Sequence, residues 1–136
     1  MKTWFLLSLS TIILWGFWGF LPKLTTRYIS PNSALVYQVV GVVIVGIFAL
    51  ILVQFKPETN PRGILLGIIT GIAAYSGVLA FLYAISKYKA SVVIPMTALY
   101  PLVAIILSYF FLHESITVKQ CIGIFLAIVA IVLFTL

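Results

Sequence analysis

Long apolar runs dominate the chain, and polar residues collect in the short gaps between them. The charge-free runs are 3–22, 33–55, 63–85, 90–112 and 120–136. Each is close to the ~20 residues with which a helix crosses about 30 Å of hydrocarbon. The gaps carry turn chemistry. Pro31-Asn32-Ser33 reads as a helix start after a short loop. The segment from Lys56 to Arg62 is a polar hairpin holding Pro57 and Pro61. Ser86-Lys87-Tyr88-Lys89 is so short that the third and fourth spans must be antiparallel neighbours. His113-Glu114-Ser115-Ile116-Thr117 ends the fourth. A transmembrane barrel would need shorter segments of strict alternation, and the run Val39-Val40-Gly41-Val42-Val43-Ile44-Val45 does not alternate. The pattern therefore predicts an all-α integral membrane bundle of five transmembrane helices, with residues 1–136 forming one domain.

Composition sharpens this reading. Apolar residues make up 64% of the 136 and charged residues 7%, against about 45–50% and about 25% in soluble domains. So few charges cannot cover a water-facing globule, and so apolar a chain is not disordered. The net charge of +6 suggests nucleic acid, but the basic residues are scattered and form no stripe, so no nucleic-acid partner is expected. A single cysteine excludes a disulfide framework and a Cys-rich metal site. No metal or other cofactor is expected. The first span could be mistaken for a signal peptide, but Trp15-Gly16-Phe17-Trp18-Gly19-Phe20 is bulky and offers no small-residue cleavage site.

Orientation is balanced. Lys2, Lys56, Arg62 and Lys119 fall on the side of the N-terminus, and Lys23, Arg27, Lys87 and Lys89 on the other. The bias that normally orients a membrane protein is absent. Two readings stand: residues near individual helix ends decide the orientation, or copies insert both ways and pair as an antiparallel homodimer.

No ionisable side chain lies clearly inside a span, which argues against a proton pump or an exchanger built on a buried carboxylate. No nucleophile–base pair or phosphate-binding glycine loop is visible, so an enzyme is not expected. Small residues mark packing faces: Gly63, Gly67 and Gly71 on the third helix, and Gly123, Ala127 and Ala130 on the fifth, with Gln120 one turn earlier. These faces could meet a helix of the same chain or of a second copy. Pro95 and Pro101 predict a kink in the fourth helix, needed either for packing alone or for gating. Thr97, Pro101, Ala104 and Ser108 share one face there. Trp4, Tyr28 and Tyr88 read as interfacial aromatics. Deeper or at bends lie Trp15, Trp18, Tyr37, Tyr75 and Tyr100. With Gln38, Ser76, Thr97 and Pro101 they could line a pathway for an uncharged or zwitterionic solute, or else face lipid and core.

These residues resemble a known family. Leu14-Trp15-Gly16 followed by Lys23 is similar to the opening of an EamA-type repeat of the drug/metabolite transporter superfamily. Gly77 through Phe81, Tyr83-Ala84 and Ala90-Ser91 resemble its third-helix passage. Pro95, Leu99-Tyr100-Pro101, Leu112, Glu114, Gln120 and Gly123 resemble its last stretch. The resemblance implies a transporter of the plasma (cytoplasmic or inner) membrane. Most members fuse two inverted five-helix repeats, so a lone repeat implies pairing with an inverted copy or relative. Tyr37-Gln38 stands where many members carry an arginine, and the first-helix carboxylate of small multidrug resistance relatives is missing.

The leading expectation is a secondary transporter of a small organic metabolite, working by alternating access as an antiparallel homodimer or with a related inverted subunit in the bilayer. The short chain reads as prokaryotic. The alternative is a non-transporting membrane subunit that packs against a larger complex.

Overall fold

In the computed structural model, which describes residues 3–135, the chain forms α1 (Thr3–Thr25), α2 (Pro31–Leu52), α3 (Pro61–Lys87), α4 (Ala90–Thr97), α5 (Tyr100–Phe111) and α6 (Val118–Thr135). No strand occurs among the described residues. Helices α1, α2 and α3 and the run Ala90–Phe111 are long and apolar enough to cross a membrane, and Val118–Phe134 is a shorter apolar helix. The protein is thus an all-helical integral membrane protein.

The helix ends depart from the charge-free runs for identifiable reasons. The first run stops at Lys23, yet α1 continues to Thr25 because the Lys23 ammonium finds a carbonyl rather than water. The second helix starts at Pro31, not at residue 33. Ser30 is its N-cap and accepts a hydrogen bond from the Ser33 N–H, and proline suits the first turn. It ends at Leu52 rather than Phe55. Gln54 and Phe55 take left-handed φ values of 53° and 57°. The Phe55 N–H then reaches Leu50 O at 2.8 Å and the Gln54 N–H reaches Ile51 O at 2.9 Å. This is a Schellman cap made without glycine. The third helix starts at Pro61, not residue 63, because the Asn60 side-chain Oδ1 accepts from Arg62 N–H at 3.0 Å and Gly63 N–H at 3.1 Å.

The fourth span is two helices. Pro101 has no N–H for Thr97 O, and its ring crowds that carbonyl. The helix yields at Ala98 and Leu99, which stay right-handed at ψ −1° and −11°. Leu99 N–H bonds Met96 O at 3.3 Å and Leu102 N–H bonds Leu99 O at 2.9 Å, both one residue tighter than an α-helix. The joint is a short overwound turn. The fifth span gains its first turn from a reciprocal cap. Thr117 N–H donates to Gln120 Oε1 at 2.8 Å, and Gln120 N–H donates to Thr117 Oγ1 at 3.3 Å.

The chain divides into two compact units, residues up to Lys87 and residues from Tyr88 onward. In the first, α3 packs against α1 and α2; in the second, α4 packs against α6.

Candidate functional site

In the first unit the packing is confined to one end. α1 and α3 finish where α2 begins. The buried residues are Gly19 and Pro22 of α1, Ala34 of α2, and Val78, Phe81, Leu82 and Ile85 of α3. Among the described residues, nothing in α1 before Gly19, in α2 after Ala34 or in α3 before Val78 is buried. The three helices are closed at one end and open at the other.

Four interactions make the closed end. Trp18 stacks on Phe81, with ring centroids 5.5 Å apart and planes 19° from parallel. The Lys23 Nζ donates to Ile85 O at 2.7 Å. Ile85 lies in the last turn of α3, whose carbonyls lack partners inside the helix and carry the negative end of its dipole. Tyr83 Oη donates to Asn32 Oδ1 at 3.0 Å and ties α3 to α2. Ala34, Val78 and Leu82 form a small core, with Ile29, Leu35 and Tyr75 packed around it.

One turn from Ala34 toward the open end sits Gln38. Its side-chain oxygen is buried and has no hydrogen-bond partner among the described residues. A buried acceptor without a donor costs about 1–3 kcal/mol. The remaining pathway candidates of this unit are open. Trp15, Trp18 and Tyr37 are 57%, 44% and 67% exposed, and Ser76 is exposed. Gly67 and Gly71 have nothing within 4 Å of where a Cβ would stand, and Gly63 meets only Asn60.

In the second unit, Thr97, Tyr100 and Pro101 surround the joint and are exposed. The Thr97 hydroxyl lies 3.0 Å from both Val93 O and Ile94 O in its own helix. Pro95 is half-buried in α4. A groove of about 460 Å³ runs between α5 and α6. Pro101 and Ser108 of the expected small face line it, together with Leu102 and Ile105 rather than Thr97 and Ala104. Gly123 and Ala127 line the opposite wall, while Ala130 does not. Among the described residues, no three His, Cys, Asp or Glu side chains gather where a metal could bind.

Sequence reasoning singled out Trp18 and Lys23 but missed their partners, Phe81 and the Ile85 carbonyl, and it missed the Tyr83–Asn32 pair. Phe81 and Asn32 carried signals of their own. Phe81 shares the Val78–Leu82–Ile85 face of α3, and Asn32 is a polar residue in the first turn of an apolar helix.

A bundle of apolar helices long enough to cross a membrane, one of them interrupted at depth, is a class that includes transporters of small solutes. The family comparison agrees with that class. The model of the EamA-like transporter family matches residues 2–136, and the chain belongs to this family of membrane transporters. It is 30% identical over 138 residues to an uncharacterized protein of Methanocaldococcus jannaschii, an alignment covering 100% of this chain and 98% of the relative. No solved structure matches the chain.

Proposed function

We propose that the protein is a secondary transporter of a small uncharged or zwitterionic organic metabolite in the plasma membrane of a prokaryote. It works by alternating access, as an antiparallel homodimer or with a related inverted subunit. The observation that carries this reading is the one-ended packing of the first unit. Burial in α1, α2 and α3 is confined to the end that carries the Trp18–Phe81 stack, and one turn beyond Ala34 the buried Gln38 oxygen has no partner among the described residues. A solute N–H or O–H would satisfy the Gln38 oxygen. Release to the other side requires the stack and the Lys23 and Tyr83 hydrogen bonds to part. A second copy supplies the cover that exposed Trp15, Tyr37 and Ser76 lack in one chain.

The test is counterflow in liposomes containing the pure protein, with a panel of neutral, zwitterionic, anionic and cationic metabolites. Uptake of a neutral or zwitterionic solute is expected, and it should fall at least tenfold in Gln38→Leu. Flux of no solute above empty vesicles would overturn the reading.

A further inference from the structure

The groove of the second unit has a polarity gradient along its length. Ser108 and Tyr109 of α5, Glu114 and Ser115 of the connection, and Gln120 of α6 lie at one end. Leu102, Ile105, Ile124 and Ile131 line the rest, above a floor kept low by Gly123 and Ala127. Glu114 is the only charged residue in the lining, and it makes no ion pair among the described residues. His113 and Lys119 flank this end in the sequence, but neither lines the groove. The left-handed turn at His113, φ 54°, brings the Glu114 N–H to within 3.4 Å of Ser108 O and sets the carboxylate at the mouth. The Gln120 oxygen is already occupied by Thr117. One negative charge is thus left to face whatever enters.

Size and length narrow the occupant. About 460 Å³ lies in the range of small-ligand sites, about 300–1,000 Å³, and is too small for a helix with its side chains. The twelve residues of α5 give the trough a run of about 18 Å, which accommodates a dodecyl chain. The overwound joint at Ala98, Leu99 and Pro101 forms the inner end of the wall. Irregular backbone at membrane depth is tolerated where it faces protein or a cavity.

We propose that this groove binds one alkyl or acyl chain of an amphiphile bearing an ammonium headgroup. The headgroup pairs with Glu114 and donates further hydrogen bonds from its N–H groups to the Ser108, Tyr109 and Ser115 oxygens, while the chain lies between Ile105 and Ile124. The same chemistry belongs to an alkylamine solute and to an aminolipid such as phosphatidylethanolamine. The groove is formed by residues of the second unit alone and uses none of the residues around Gln38, so the proposal stands or falls independently of the transport reading.

The experiment measures binding of dodecylammonium to the purified full chain in maltoside micelles, by thermal stabilisation across a concentration series. Saturable stabilisation is expected, with dodecyl sulfate giving none. Glu114→Gln should weaken the affinity at least tenfold. Gly123→Leu should abolish binding while leaving the protein folded, since a Cβ at Gly123 meets nothing within 4 Å. Flux of dodecylammonium in liposomes would assign the site to a transported solute. Retention of phosphatidylethanolamine in native mass spectra, displaced by dodecylammonium, would assign it to lipid. Equal binding of the ammonium and sulfate amphiphiles, or unchanged binding in both variants, would overturn the proposal. So would efficient copy-to-copy cross-linking of Ala127→Cys in a Cys121→Ser background, because a second copy would then fill the groove.

Discussion

Lys23→Met probes the hydrogen bond from Lys23 to Ile85 O at the closed end. The substitution keeps the apolar stem and removes the donor to Ile85 O at 2.7 Å. Hydrogen bonds to charged groups contribute about 1.5–3 kcal/mol. The Lys23 site is only half-buried, so solvent screening lowers this to about 1–2 kcal/mol. A favourable dipole at the α3 C-terminus is included in that figure rather than added to it. Reversible unfolding in mixed micelles, followed by tryptophan fluorescence, reads the loss, and Lys23→Arg should recover most of it. Tyr83→Phe removes an exposed neutral hydrogen bond to Asn32 and should cost about 0.5–1 kcal/mol. The two bonds join different helix pairs, so the double variant should be additive within about 0.5 kcal/mol. The seal should also loosen. A cysteine introduced at Ile85, fully buried in the native chain, should react faster with a soluble maleimide when Lys23 is Met. A Lys23→Met protein as stable as the wild type, with no change in Ile85→Cys labelling, would refute the assignment of Lys23 to the closed end.

Other variants probe separate links. Gln38→Leu should leave stability unchanged or raise it slightly while reducing flux, because it removes an unpaired buried acceptor; unfolding and counterflow on one preparation check both. Leu82→Ala, at a fully buried site, should cost about 2 kcal/mol, the low end for such truncations, because lipid solvates the unpacked helices and only packing is lost. Gln54→Gly should stabilise by about 0.5–1 kcal/mol by relieving the left-handed φ of 53°, read as a raised melting temperature. Two lysines added to the connection between α2 and α3 should fix one orientation, seen with paired C-terminal reporters, and should abolish flux if an inverted copy is required.

The fold was legible because membrane crossing demands long apolar runs, and five such runs stand between polar gaps. The ends were less so, for reasons visible at particular residues. Charge counting stops a span at Lys23, but a lysine can stay within a helix when a neighbouring carbonyl accepts its proton donor. It lets the second span run to Phe55, although two non-glycine residues there adopt a left-handed cap that no propensity suggests. The kink expected from Pro95 and Pro101 is placed by Pro101 alone, whose missing N–H falls one turn after Thr97. The candidate site was legible as residue types and illegible as pairings. Trp18 stands out in any apolar helix, but nothing local to α1 indicates that Phe81 of α3 lies 5.5 Å away.

The placement of the contacts also bears on how the closed end would open in the proposed transport cycle. The buried interhelix packing of the first unit sits within about three turns of one end of the helices. The seal therefore combines a stack, two side-chain hydrogen bonds and a core of Ala34, Val78 and Leu82. Each contributes on the order of 1 kcal/mol in lipid, where no hydrophobic force drives helices together. Such a set is strong enough to favour closure and weak enough to be offset by a ligand that gains a few kcal/mol from differential contacts in the opened state. In the proposed cycle Gln38 would provide part of that difference, because its unpaired buried oxygen is a cost that a bound donor would remove. Gln38→Leu combined with Trp18→Ala separates the two contributions. If the oxygen acts by biasing the seal, Trp18→Ala should raise leak in the absence of solute, and Gln38→Leu should lower solute-driven flux without altering that leak. Equal effects of both variants on leak would place Gln38 in the seal itself rather than behind it.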